Sequence, residues 1–315
     1  MGKLKALLLT EGMHGMISQV EGMAKALNTE FSHKIVRLSF PWNLVPPKFT
    51  PISEIILKDK IYLTANGTPD LIISCGRKSV IPSIILKKKN QKIFTIHIQD
   101  PKVNLKNFNA IIAPEHDSLN GDNVFVSKGA IHYITESEIN KAKPYLMDKV
   151  KSQKIVALIL GGPNKYYSFN KDQLMKIFNV VKSNFISNGY KVIAIPSIRT
   201  PKMIIDLVAK EFRADGYVVN TVDKQAYLSS LALATNIVVT CDSTSMISEA
   251  ATSGKPIFVA HMKPKRNNYR FKKFFKLFKE MGVTKDLGEK VESWKYSKIN
   301  EAERIAAIIS SKIKN

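Results

Sequence analysis

The stretch VTCDSTSMISEAATSGKP runs from Val239 to Pro256. An apolar run stops at Asp242, hydroxyls follow at Ser243, Thr244 and Ser245, and a helical stretch then carries one carboxylate, Glu249. Asp242 or Ser243 suits an N-cap, because a short side-chain oxygen accepts from the unpaired amides of a first helical turn. Those amides and the helix dipole favour an anion. Ser245 and Glu249 lie four apart and so share one helical face. Hydroxyls and amides at the tip could hold a diphosphate, and a carboxylate one turn further in could accept both hydroxyls of a ribose. Gly254 is expected to close the helix as the residue after its C-cap. The plain alternative is a well-capped helix with an exposed glutamate. Asp242 beside a diphosphate is repulsive unless it caps the helix or holds a metal.

Two more strand ends carry related residues. LILGGPNKYYSFN (158–170) has Gly161 and Gly162 where backbone could approach a phosphate, with Lys165 as counter-charge. IPSIRTPK (195–202) places Ser197, Arg199 and Thr200 directly after a strand, and a guanidinium can clamp a phosphate with two parallel bonds. The candidate donor-binding set is therefore Gly161, Gly162, Lys165, Ser197, Arg199, Thr200, Asp242, Ser243, Ser245 and Glu249.

In the first half, TEGMHGMISQVEGMAKAL (10–27) reads as strand, glycine-flanked loop and helix, with Gly12, His14 and Gly15 in the loop. An imidazole there suits proton transfer near neutrality. The loop is not the GxGxxG dinucleotide fingerprint, and no acid closes the next strand as that motif requires. CGRKS supplies Arg77, HIQDP supplies Gln99 and Asp100, and APEHD supplies Glu115, His116 and Asp117, each group after a strand. Gly12, Gly15, Arg77, Gln99 and Asp100 are the candidates for an acceptor-side cleft. His14, Glu115, His116 and Asp117 are the candidate catalytic bases. These clusters are equally what ordinary helix caps look like.

Residues placed at successive strand ends need sheets to hold them. Short Ile/Val/Leu-rich runs at 3–9, 33–38, 70–75, 92–98, 109–113 and 123–126, then at 154–160, 190–195, 216–220, 236–240 and 255–260, alternate with helix-periodic stretches. Near-continuous apolar strands separated by helices call for parallel sheets covered on both faces. The fold class is α/β, as two doubly wound Rossmann-like domains facing across a cleft. The Lys-rich segment 140–154 reads as a linker, which gives domains of 1–148 and 149–315. A last helix at about 300–314 could pack back on either domain, the N-terminal one included.

The 315 residues bear a formal net charge of +22. That charge invites phosphorylated ligands, anionic lipid or nucleic acid, although solvated lysines of a Lys-, Ile- and Asn-rich chain would look the same. Two cysteines make no disulfide framework, and no zinc-ligand spacing occurs, so no metal is expected. The apolar run Leu4–Leu9 is too short for a signal-peptide core, nothing approaches the ~20 residues of a membrane span, and Ala6 replaces the Ser or Thr of a myristoylation motif. The expected location is cytoplasmic, with the inner membrane face as a peripheral site. KPKRNNYRFKKFFKLFKEMG (263–282) is a basic amphipathic helix, either core-facing or docked on an anionic membrane through 263–279. No nucleic-acid reader motif accompanies it.

GMHGMISQVEGMAKAL, PDLIISCGRKS, HIQDP, APEHD, LGG, SIRTP and VTCDSTSMISEAATSGKP, in that order, resemble the motifs of bacterial relatives of the plant elongated-mitochondria fission factor. The resemblance covers nearly the whole chain, and its last motif is the most specific. It implies a GT-B-like architecture, with an acceptor-side N-terminal domain and a nucleotide-sugar-side C-terminal domain. It carries donor-site roles onto Gly161, Gly162, Ser197, Arg199, Ser243, Ser245 and Glu249. Where the family has paired arginines this chain has Ile198-Arg199, and its Asn-Pro-Tyr is Gln225-Ala226-Tyr227 here. Two functions follow as expectations. One is a metal-free, cofactor-free GT-B glycosyltransferase that moves sugar from a nucleotide-diphosphate donor to a lipid or envelope acceptor. The other, implied by the plant members' recruitment of division machinery, is a non-catalytic membrane-associated adaptor that keeps the fold.

Overall fold

A computed structural model describes residues 3–63 and 68–313, so the Met1-Gly2 start and Lys314 lie outside the described residues. The chain divides into two compact units, Met1–Tyr133 with Asn300–Asn315, and Ile134–Ile299. Each is built around one parallel six-stranded sheet of described residues.

The first unit contains β1 (Lys5–Thr10), β2 (Glu30–Ile35), β3 (Leu71–Cys75), β4 (Phe94–Ile98), β5 (Ala110–Pro114) and β6 (Val124–Ser127), with α1 (His14–Ala26) and α2 (Val80–Lys89) between strands. Its strand order is β2-β1-β3-β4-β5-β6. The second unit opens with α3 (Glu136–Ala142) and α4 (Pro144–Met147). Then come β7 (Ile155–Leu160), α5 (Lys171–Asn184), β8 (Lys191–Pro196), α6 (Lys202–Phe212), β9 (Gly216–Val218) and α7 (Lys224–Leu233). The unit closes with β10 (Asn236–Thr240), α8 (Thr244–Ala251), β11 (Ile257–Ala260), α9 (Tyr269–Glu280) and β12 (Thr284–Asp286), in the sheet order β12-β11-β10-β7-β8-β9. α10 (Glu301–Ile313) returns to the first unit.

The inner strands β3, β7 and β10 are buried along their whole length, as apolar runs between two helical layers must be. Helix starts are marked by side-chain caps: Asn170 accepts from Gln173 N–H, Asp223 from Ala226 N–H, and Thr135 forms a reciprocal capping box with Glu138. Gly254, at φ +70°, stands two residues beyond the C-cap of α8, which is Thr252, rather than one.

Three sequence expectations shift. The edge strand β2 spans 30–35 instead of 33–38, because its place is set by register with β1, from Lys5↔Glu30 to Thr10↔Ile35, and its apolar residues, Phe31 and Ile35, are exposed on it rather than forming a continuous apolar run. The three-residue β12 was missed: its sequence TKD carries no apolar run, and its pairing with β11 alone defines it. The division falls at 133/134 instead of 148/149: the segment read as a linker is largely helical, and Leu146 and Val150 join a core cluster with Ile193, Ile195 and Ala226.

α10 belongs to the core of the first unit. Ala302, Ile305, Ala306 and Ile309 pack with Val20 and Met23 of α1 and with Leu71, Ile73 and Ile96. Lys128 N–H donates to Glu301 Oε2 at 2.8 Å, and Arg304 bridges Glu301 and the Val126 carbonyl. Ile305 is fully buried, so Ile305→Ala should destabilise the first unit by about 2–5 kcal/mol in urea denaturation.

Candidate functional site

In the second unit the strand order reverses between β7 and β10, where loops leaving neighbouring strand ends part to opposite sides of the sheet. Asp242 stands at this switch point with its side chain wholly inaccessible. Its Oδ2 accepts from Arg199 Nη2 at 2.6 Å and from Gly162 N–H at 3.2 Å, and Oδ1 accepts from the Thr240 hydroxyl at 2.7 Å. Arg199 Nη1 donates to the Gly162 carbonyl at 2.7 Å, and the Thr200 hydroxyl donates to the Leu160 and Gly161 carbonyls. Asn164 donates to the Asp242 carbonyl at 3.0 Å. The loops after β7, β8 and β10 are thus one hydrogen-bonded body. Burial pushes the Asp242 carboxyl above the usual carboxylate range, and Arg199 is the main opposing influence.

This arrangement corrects several expected roles. The glycine pair faces Asp242 and Arg199: Gly161 N–H donates to Thr240 Oγ1 at 2.8 Å and Gly162 N–H to Asp242. A Cβ on Gly161 would lie 2.0 Å from Asp242 Oδ2, and one on Gly162 would lie 1.9 Å from the Arg199 carbonyl. Glycine is required there by the protein's own close contacts. Arg199 has both terminal nitrogens engaged inside the protein. Ser197 and Thr200 build the turn that carries it, since Ser197 Oγ accepts from Arg199 N–H and Thr200 Oγ1 from Ser197 N–H. Lys165 is exposed and stacks 5.0 Å from the Tyr166 ring, with Arg266 5.6 Å from the same ring.

Ser243 caps α8, accepting from Met246 N–H at 3.3 Å, so Asp242 does not. Among the described residues no cluster of His, Cys, Asp or Glu could hold a metal ion. Ser245 and Glu249 share the next turn and are both half-buried. Glu249 Oε2 accepts from the Tyr227 hydroxyl at 3.0 Å. Burial pushes its carboxyl up to about 7, and the Tyr227 bond pulls the other way. Tyr227 is the last residue of Gln225-Ala226-Tyr227, and it is the one that meets Glu249. Sequence spacing did not pair the two; only the tertiary structure, which packs α7 against β7 and β8, brings them together.

In the first unit the order reverses between β1 and β3. His14 is exposed at the first position of α1. Gly12 has φ +86°, whereas Gly15 has open space around its missing Cβ. Arg77 is not free to meet a ligand, because its Nη1 and Nη2 donate to the carbonyls of Val45 and Asn43 at 2.8 and 2.6 Å. Asp100 accepts from the backbone and ammonium of Lys102. Glu115, His116 and Asp117 form a short 3-10 turn after β5, with His116 Nε2 3.6 Å from Asp117 Oδ1. Three strand spacings, about 14 Å, separate that strand end from the end of β1, so the candidate bases are not brought together.

Other residues are. Glu11 Oε1 accepts from Lys78 N–H at 3.0 Å, and Gln19 Oε1 is approached by Gln99 Nε2 at 3.4 Å and Cys75 Sγ at 3.7 Å. Gln99 holds φ +85°, a left-handed conformation unfavourable for a side-chain-bearing residue. Glu11, Gln19 and Lys78 were missed by sequence reasoning; the available signal was an acid directly after β1.

The basic helix 263–282 is α9 with its approach. Phe274 and Phe278 are fully buried, Phe271 packs edge-on against Tyr166 and Tyr167, and Phe275 against His261. The aromatic stripe therefore covers its own unit, and of its rings only Tyr269 is largely exposed. That corrects the expectation of aromatic-assisted membrane docking through 263–279. A cavity of about 440 Å³ lies along the outer edge at β2, lined by Lys5, Glu30, His33 and Tyr62, and includes none of the candidate residues.

Residues 14–313 match the model of the family described as mitochondrial fission ELM1. The chain is 29% identical over 296 residues to the protein RP120 of Rickettsia prowazekii, over 78% of this chain and 80% of that one. It is 26% identical over 275 residues to the mitochondrial fission protein ELM1 of Arabidopsis thaliana, over 76% of this chain and 63% of the plant protein, and so spans less than two thirds of the latter. Among solved structures it is similar to a UDP-glucosyltransferase from Polygonum tinctorium, with TM-score 0.54, 10% identity and coverage of 99% and 90%. It is also similar to UDP-GlcNAc 2-epimerase from Neisseria meningitidis bound to UDP-GlcNAc, with TM-score 0.53, 12% identity and coverage of 99% and 100%. At these identities the likeness is one of fold, two doubly wound α/β domains of the GT-B type. No described helix is long and apolar enough to cross a membrane.

Arg199→Met should cost about 3–5 kcal/mol at neutral pH, because it strands the Asp242 carboxylate without its cation. Part of that loss should return as pH falls, since the stranded group has a raised folded-state value and its protonated form is tolerated in the core. Urea denaturation at two pH values checks both points.

Proposed function

The chain belongs to the mitochondrial fission ELM1 family, and from that premise we propose that its second unit binds a nucleoside-diphosphate sugar for glycosyl transfer. One observation carries the reading: Glu249 lies half-buried one turn inside α8, on the face of Ser245, in a helix whose N-terminus opens at the β7/β10 switch point. The amides of that helix start would hold the diphosphate and stabilise it as a leaving group, with Lys165 as the nearby mobile cation. Glu249 would accept the two ribose hydroxyls, and Ser245 would meet a phosphate or the ribose. Asp242, Arg199, Gly161, Gly162, Ser197 and Thr200 act here as the frame that holds the helix start in place.

The UDP-GlcNAc named as bound to the similar Neisseria meningitidis structure makes uridine diphosphate the first ligand to test. His14, exposed at the start of α1 beside the β1/β3 switch point, would deprotonate an acceptor hydroxyl. The reading invokes no cofactor besides the donor.

Uridine diphosphate should raise the melting temperature in a dose-dependent manner, and Glu249→Ala should weaken binding by roughly 1–3 kcal/mol. Affinity should increase as pH rises through about 7, because only the ionised carboxylate accepts two hydroxyls; Glu249→Gln should flatten that profile. His14→Ala should abolish transfer and spare nucleotide affinity. If a folded protein responds to no nucleotide, the reading fails and a non-catalytic adaptor takes its place.

A further inference from the structure

Between β2 and β3 the first unit carries a segment whose apolar residues fall into two sets. Leu38, Trp42 and Leu57 pack against the cluster of Ile56, Ile81, Ile85 and Phe108. Phe40, Leu44, Phe49 and Ile55 do the opposite: they are 80%, 70%, 69% and 75% exposed. Four large apolar side chains turned to solvent within sixteen residues exceed the scattered exposure of ordinary surfaces.

The backbone that presents them is held firmly. Ser39 N–H donates to the Ile56 carbonyl at 2.8 Å, and the Ser39 hydroxyl reaches the Ile55 carbonyl at 3.2 Å, so Phe40 and Ile55 are brought side by side. Asn43 N–H donates to the Ser39 carbonyl and Leu44 N–H to the Pro41 carbonyl, which fixes the turn that carries Phe40 and Leu44. Arg77 grips the carbonyls on both sides of Leu44, those of Asn43 and Val45. A segment fixed by this many bonds exposes its aromatics by construction.

Its surroundings are cationic. Lys48, Lys58 and Lys60 are exposed in the segment, against one exposed acid, Asp59, and the other acid, Glu54, is neutralised by Lys89 at the end of α2. We propose that Phe40, Leu44, Phe49 and Ile55 insert into the interfacial layer of an anionic lipid bilayer, with the lysines meeting its headgroups. Apolar tips ringed by ammonium groups fit a surface that is both hydrophobic and negative, and the chain's net charge of +22 acts in the same direction. Arg77 joins this segment to the β1/β3 switch point, so membrane contact would be mechanically tied to the strand ends around Glu11 and His14. The inference does not depend on nucleotide binding.

The test is flotation of the full chain with phosphatidylcholine vesicles and with mixed phosphatidylcholine–phosphatidylglycerol vesicles. Binding should require the anionic lipid. It should fall about tenfold or more in Phe40→Glu/Phe49→Glu, with an unchanged melting temperature, and persist in the α9 variant Lys272→Glu/Lys276→Glu. A tryptophan introduced by Leu44→Trp should be quenched by brominated lipid. No vesicle binding, binding lost only in the α9 variant, or an unquenched tryptophan overturns the proposal. Self-association of the native chain that Phe40→Glu/Phe49→Glu abolishes, without vesicle binding, would assign the patch to a second copy instead.

Discussion

The carboxylate of Asp242 sets most of what surrounds it. A fully inaccessible carboxylate costs several kcal/mol unless charge and hydrogen bonds replace its water. Here the replacement is one guanidinium, one hydroxyl and one backbone amide. Each donor carries a demand of its own. The amide and its neighbour must be glycines, since a Cβ at 161 would overlap Asp242 and one at 162 would overlap Arg199. The guanidinium must fold inward from the end of β8, and Thr240 must point back at β7. Meeting these demands ties three strand-end loops into one body, from which the first turn of α8 projects.

The first unit repeats the device in weaker form. Glu11, at the end of β1, reaches across the switch point to the amide of Lys78 after β3. It is half-buried and meets the Lys78 amide and, at 3.5 Å, the Lys78 ammonium, where Asp242 has three donors from three different residues. Gln99 holds its left-handed backbone beside it and shares Gln19 with Cys75.

Apolar residues are used in contrasting ways in the two units. On α9 a conspicuous aromatic stripe turns inward, where Phe274 and Phe278 lie 4.2 Å apart between ring centroids, and the lysines are left as a solvated back. In the segment after β2, with no helical periodicity to draw attention, Phe40 and Phe49 turn outward on a bonded backbone while Trp42 packs inward. Amphipathic composition marks a helix with a buried face; what covers that face depends on its neighbours.

Much of this was legible from residues alone. Eleven apolar runs between helix-periodic stretches correspond to strands, because a strand sandwiched between helical layers must be apolar throughout. The N-cap at Ser243 and the shared face of Ser245 and Glu249 follow from local helix geometry, which needs no distant partner. The edge strands β2 and β12 were misplaced or missed, since the bounds of an edge strand are set by pairing with its one neighbour rather than by its own residues. The roles of Gly161, Gly162 and Arg199 were legible as types and misassigned as partners: both glycine tolerance and guanidinium forks serve phosphate and carboxylate equally, and Asp242 stands 80 residues from Gly162 in the chain. Sequence by itself determined which residues lie at strand ends, through short-range periodicity and capping. Only the tertiary structure decided which of them face each other, because contacts across a switch point join residues that no local spacing relates.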